Sequence, residues 1–264
     1  SQLHFKRIIS PLKKSMTNED AKVFPLPDFV EPYRYEHFDR TVEEYHKREL
    51  AVCGLLAQTI FEKAWYIRGF EETMMDMLDN SEAINILFDR IMNLRIEQVK
   101  LFMEADIDIL MLGDDVAMQT GMLISVNTWR KFLKPRMSKI IQAAKAIRPD
   151  IPIFYHSCGN PTAIIPDLIE IGVNILNPIQ PECMNLKLVK DTYGDKLAFW
   201  GGLSAQTNLS FGTPEQVKAE VKHCIETLGK DGGYLIGPNH VVEPEVPWEN
   251  ILAFFEAVDE YGQY

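Results

Sequence analysis

The chain has 264 residues, 46% hydrophobic and 25% charged, which suits one large globular domain and allows an ample core. Its 27 basic and 38 acidic residues leave a net charge of −11, and no basic patch occurs, so nucleic acid is not an expected partner. Four widely spaced cysteines, no signal-peptide core and no apolar run of about 18 residues point to a reduced, cytoplasmic protein off the membrane.

In chain order, residues 1–33 are polar, punctuated by Pro11, Pro25 and Pro27, and read as irregular. A charged helix is predicted over 36–49, a short buried strand over 50–57 and a short helix over 61–70. Asp79-Asn80-Ser81 marks a boundary, and 83–105 carries apolar residues at helical spacing (Ile84, Leu87, Ile91, Leu94, Val99, Phe102). From residue 107 the chain alternates. Strands are predicted over 107–112, 152–155, 173–176, 197–200 and 234–236, and helices over 126–147, 163–171, 185–193, 213–228 and 248–261. Each strand is apolar and ends in polar residues.

Apolar strands alternating with helices indicate an α/β fold with a parallel sheet buried on both faces. No Gly-x-Gly-x-x-Gly turn or phosphate-binding loop follows any strand, so a TIM-type (β/α)8 barrel fits better than a doubly wound sheet. A single domain over 1–264 is expected. About six strands are visible, so a complete barrel needs two more, either within residues 1–33 or absent from this chain.

In such a barrel the strand C-termini assemble the active site. Asp114, Asp115, His156, Cys158, Gln180, Glu182, Gln206 and His240 all fall at or just past those ends. His156 and Cys158 are an i, i+2 pair, so on a strand they share a face with Cα atoms roughly 6.5–7 Å apart. Imidazole and thiolate are zinc ligands, and His240 is the natural third, leaving an open position for water or substrate. Asp114 and Asp115 are candidate acid/base groups or anchors for a metal-bound histidine, with Asp115 preferred as the inward one. Glu182 or Cys183 is a candidate fourth ligand, against the plainer reading that they cap the next helix.

Several blocks resemble the uroporphyrinogen decarboxylase superfamily. They are Gly113-Asp114-Asp115-Val116, Leu123-Ile124-Ser125, Trp129-Arg130, Lys134-Pro135-Arg136, His156-Ser157-Cys158-Gly159, Trp200-Gly201-Gly202 and Gly237-Pro238-Asn239-His240 with Pro244. The resemblance spans roughly 20–264 and implies a TIM-type barrel. It also implies one of two chemistries. The decarboxylase branch removes carboxyl groups from a porphyrinogen without a cofactor. The methyltransferase branch moves methyl groups to or from corrinoid proteins and uses zinc held by a His-x-Cys pair and a later Cys.

His156-x-Cys158 matches the pair, and His240, four residues before Pro244, stands where the branch has its later Cys. A histidine there also resembles the decarboxylases. Those enzymes carry an Arg-rich N-terminal segment that clamps substrate carboxylates, whereas residues 1–33 offer only Lys6-Arg7 and Lys13-Lys14 as basic pairs. The chain also begins later than full-length family members do.

The leading expectation is a zinc methyltransferase acting on a small methoxy or thiol compound, with metal ligands His156, Cys158 and His240 and with Asp115, Asp114 and Glu182 as catalytic groups. No Asp-x-His-x-x-Gly cobalamin pattern occurs, so a partner protein would carry the corrinoid. The alternatives are a decarboxylase, in which Asp114 or Asp115 stabilises a protonated pyrrole, and a non-catalytic barrel subunit.

Overall fold

The computed structural model describes residues 8–263, so Lys6-Arg7 lies outside it. Its strands are β1 (Cys53–Leu56), β2 (Ile109–Gly113), β3 (Ala117–Met118), β4 (Gly121–Met122), β5 (Ile153–His156), β6 (Ile175–Asn177), β7 (Ala198–Leu203) and β8 (Tyr234–Pro238). β3 and β4 form a small antiparallel hairpin. The others form one sheet in the order β1-β2-β5-β6-β7-β8, with every neighbouring pair parallel. At least one helix lies between successive sheet strands. Parallel strands in chain order with helical crossovers are the architecture of a TIM-type barrel.

Side-chain alternation sorts the strand residues into two layers. Leu56, Leu112, Tyr155, Leu176 and Phe199 lie side by side in register and are buried under the helices. The opposite face carries Leu55, Met111, Phe154, Ile175 and Ala198, with Trp200 edge-on to Phe154 at 5.2 Å between ring centres. Two residues further along that face, Gly113, His156 and Asn177 pair across β2, β5 and β6. The pair singled out in the sequence therefore stands at the C-terminal ends of the strands, above an apolar floor.

The helices differ from expectation in three places, each with a local cause. The segment over 61–70 ends at Arg68, because Gly69 turns the chain at φ 107° before a second helix, Phe70–Leu78. The segment over 126–147 is two helices, Val126–Phe132 and Lys134–Ile147. Pro135 lacks an amide hydrogen and its ring crowds the carbonyl four residues back, so the first helix cannot run through it. Residues 8–33 hold no strand but do hold a helix, Asn18–Val23, started by a reciprocal Thr17–Asp20 capping box.

Gly201 fixes how β6 and β7 meet. Its φ is 120°, and a Cβ there would overlap the carbonyl oxygen of Pro178. That oxygen accepts the Gly202 amide at 2.9 Å. Gly201→Ala is expected to destabilise the fold by about 3 kcal/mol, through the backbone conformation and the clash together. The shift of the urea midpoint checks this.

Candidate metal centre

The strand ends are held by a staple between the loop after β1 and the end of β2. The Thr59 amide donates to the Gly113 carbonyl at 2.8 Å, and the Gly113 amide donates to Thr59 Oγ1 at 2.9 Å. Arg95, buried on the long helix Glu82–Glu104, donates to the carbonyls of Thr59, Gln58 and Ala57. The buried Asp114 carboxylate accepts the amides of Ile60, at 2.9 and 3.1 Å, and of Glu62, at 3.0 Å. It therefore caps the helix Phe61–Arg68 from a distant strand, where the helix dipole favours a negative charge. Burial outweighs these bonds and the Arg95 charge, and lifts the Asp114 carboxyl to about 6. Asp114 is an anchor, not a group open to substrate.

Asp115, the next residue, faces the opening. Its amide donates to Glu62 Oε2 at 3.0 Å and its Oδ1 accepts the Cys158 amide at 2.8 Å. Between His156 and Cys158, Ser157 is buried, and its hydroxyl accepts the Val116 amide at 3.2 Å. His156 is the last residue of β5 and Cys158 lies in the bend just beyond it, so the expected strand pair is met by a strand end and a loop. The His156 Nε2 atom is 3.4 Å from Cys158 Sγ and 3.6 Å from Asp115 Oδ1. The donor atoms of Asp115, His156 and Cys158 all lie within 4.8 Å of one another. On its far side His156 Nδ1 meets Asn177 Oδ1 at 2.5 Å, and Asn177 Nδ2 donates to the Trp200 carbonyl at 2.9 Å.

Gly113 is required for this packing. A Cβ there would lie 2.8 Å from both the Cβ and the carbonyl oxygen of His156.

The electrostatics suit a cation. Burial first, and then the Asp115 charge, pushes the Cys158 thiol up to about 12. Without a positive charge nearby Cys158 is a thiol at neutral pH and a poor nucleophile. Glu62 is pushed up to about 8, first by burial and then by the charges of Asp115 and Asp114. Its folded value lies above the usual 4.5, so the folded chain keeps a proton that the unfolded chain loses. That stabilisation is complete below about pH 4.5 and is lost as pH rises through about 8. Glu62→Gln keeps an acceptor for the Asp115 amide. In metal-free protein it is expected to match wild type near pH 4.5 and to be more stable by about 1–2 kcal/mol above pH 8, allowing for solvent contact. Melting curves across this range check the sign.

None of the other expected His, Cys, Asp or Glu residues joins this three-donor group. His240 lies in the bend just past β8, is exposed and is not one of the three clustered donors. Glu182 accepts hydrogen bonds from the Ser204 hydroxyl and from Asn239 Nδ2, tying together the loops after β6, β7 and β8. Gln180 is buried and accepts the Gly159 amide at 3.0 Å. Gln206 meets Gln119 of the β3–β4 hairpin at 3.2 Å. Cys183 is half-buried, and no described His, Asp or Glu joins it in a three-donor group.

Glu62 and Asn177 were not among the candidates. Asn177 was visible as the polar residue ending a predicted strand. Glu62 opens the helix after β1, and by the same logic it belongs at the strand ends.

The sequence profile of the family described as uroporphyrinogen decarboxylase matches residues 3–261. A uroporphyrinogen decarboxylase from Hydrogenobaculum sp. is 25% identical over 81% of this chain and 60% of its own length. A methylcobamide:CoM methyltransferase, MtaA, from Methanosarcina barkeri is 30% identical over 60% of this chain and 43% of its own length. The chain thus spans 60% and 43% of these two relatives. Among solved structures, a methyltransferase from Methanosarcina mazei superposes with a TM-score of 0.69 at 22% identity, over 87% of this chain and 64% of that one. That likeness concerns the fold, and it agrees with the barrel derived from the strand order. Since the profile runs across the barrel strands and every residue of the three-donor group, the chain belongs to the uroporphyrinogen decarboxylase family.

Proposed function

We propose that this chain is a zinc-dependent methyltransferase that moves a methyl group between a small methoxy or thiol compound and a corrinoid carried by a partner protein. The observation that carries this reading is the convergence of His156 Nε2, Cys158 Sγ and the Asp115 carboxylate within 4.8 Å. The separations of 3.4 and 3.6 Å fit two ligands on one tetrahedral zinc, which lie about 3.3–3.8 Å apart. Two of the three donors ionise to anions, which a divalent ion would neutralise. The 30% identity to a methylcobamide:CoM methyltransferase supports the methyl-transfer chemistry and the corrinoid partner.

Zinc held by His156, Cys158 and Asp115 would supply Lewis acidity, either lowering the pKa of an acceptor thiol or polarising the ether oxygen of a methoxy donor. The chain's own residues set the surroundings. The Cys158 amide orients Asp115 through Oδ1, and Glu62 holds a proton on its carboxyl beside Asp115 at neutral pH. Met111, Phe154 and Trp200 form an apolar floor that suits a small methylated compound. His240, past the end of β8, remains a candidate contact from the next loop. Four free cysteines accord with a reducing cytoplasm, and among the described residues no helix is long and apolar enough to cross a membrane.

The second reading is a decarboxylase. It is favoured by the greater share of this chain, 81%, matched by a uroporphyrinogen decarboxylase. Asp115, 41% exposed, would then face the substrate. The test uses protein stripped of metal, with methylcobalamin as donor and a small thiol as acceptor. Loss of methylcobalamin absorbance that returns only with zinc is expected. Zinc-independent carbon dioxide release from uroporphyrinogen, without methyl transfer, supports the decarboxylase instead. Neither activity, with zinc bound, points to the non-catalytic subunit.

A further inference from the structure

From the side chains behind the donor group we infer that Asn177 is a positioning residue: it fixes the tautomer of His156 and presents the bare Nε2 lone pair to the ligand site. The Trp200 carbonyl can only accept a hydrogen bond. It lies 2.9 Å from Asn177 Nδ2, so the amide cannot be turned the other way without placing two oxygens face to face. The Asn177 carbonyl oxygen therefore points at His156, 2.5 Å from Nδ1. An oxygen acceptor at that distance requires the neutral ring to carry its hydrogen on Nδ1. Nε2 is then unprotonated, and it is the atom that faces Cys158 and Asp115.

Three strands build this device. His156 and Asn177 pair across β5 and β6, and Gly201 within β7, packed on the Pro178 carbonyl, brings the Trp200 carbonyl within reach. A peptide carbonyl thus sets an amide, and the amide sets an imidazole. With the opposite tautomer the N–H would point into the ligand site, and a metal could enter only after the ring exchanged its proton.

The effect on metal binding rests on the proposed zinc reading, but the tautomer does not, so the two can fail separately. The experiment uses metal-free protein labelled with 15N-histidine, at about pH 8.5, well above the ordinary imidazole range. His156 is assigned with His156→Gln, and long-range 1H–15N correlations report which ring nitrogen carries hydrogen. Wild type is expected to show the Nδ1–H form. Asn177→Leu is expected to lose that preference, and Asn177→Asp, which keeps an oxygen toward Nδ1 but sets the other against the Trp200 carbonyl, to recover it only in part. Zinc affinity, read by competition with a chromogenic chelator, should fall about 10–100-fold in Asn177→Leu and recover in part in Asn177→Asp. An Nε2–H ring in wild type overturns the inference outright, whether or not any variant folds. So does an Asn177→Leu protein with the wild-type tautomer and unchanged zinc affinity. Wild type with the expected tautomer but no zinc binding sinks the metal reading alone.

Discussion

Asp114→Ala is expected to cost the fold about 3–5 kcal/mol, a large share of the 5–15 kcal/mol typical of a domain. The carboxylate accepts the amides of Ile60 and Glu62, and each buried amide left without a partner costs about 1–3 kcal/mol. Arg95, itself buried, also loses the charge that most favours its own. The loss should propagate to the site, because the helix start that Asp114 caps carries Glu62. Asp114→Asn keeps one acceptor and should recover part of the stability. Urea unfolding of the three proteins measures this. A cost under about 1 kcal/mol for the alanine variant would contradict an anchoring role.

Asp115→Ala should do the reverse, leaving stability nearly intact while removing a donor. Its side chain is 41% exposed and accepts a backbone hydrogen bond from the Cys158 amide. Loss of a group that merely supports a ligand costs about 10–100-fold in metal affinity, so loss of a ligand should cost at least about a hundredfold. His240→Ala is expected to change zinc affinity by less than about threefold, on the same scale. Chelator competition with both variants decides the third ligand. Strong loss in His240→Ala with little change in Asp115→Ala would favour the set suggested by the sequence and require the loop after β8 to close over the site.

That contrast shows what the sequence could carry. The strands over 107–112 and 152–155 were legible because four or more apolar residues in a row, closed by polar ones, leave few other structures. The placing of His156 at a strand end followed from that pattern, whereas Cys158 lies past β5 in a bend that strand alternation does not reach. The two helices of 126–147 looked like one because apolar spacing continues across Pro135. The β3–β4 hairpin has two residues per strand, too few to show a period.

The site was harder, since its membership depends on long-range contacts. Asp114 and Asp115 are neighbours in sequence, yet only the staple by Thr59 and Arg95 decides that one is sealed and the other open. His240 was aligned by its distance from a proline along the chain, which says nothing of its distance from His156 in space. Asn177 was in view at a strand end, but a neutral amide attracts attention only once its two partners are known.

The central claim is that His156, Cys158 and Asp115 hold one divalent metal ion. Its most direct test is elemental analysis of the purified protein, metal-stripped and then dialysed against trace zinc, with Cys158→Ala treated in parallel. Close to one zinc per chain is expected in wild type and almost none in the variant. Wild type that retains no zinc, or a Cys158→Ala protein that retains as much as wild type, would contradict it.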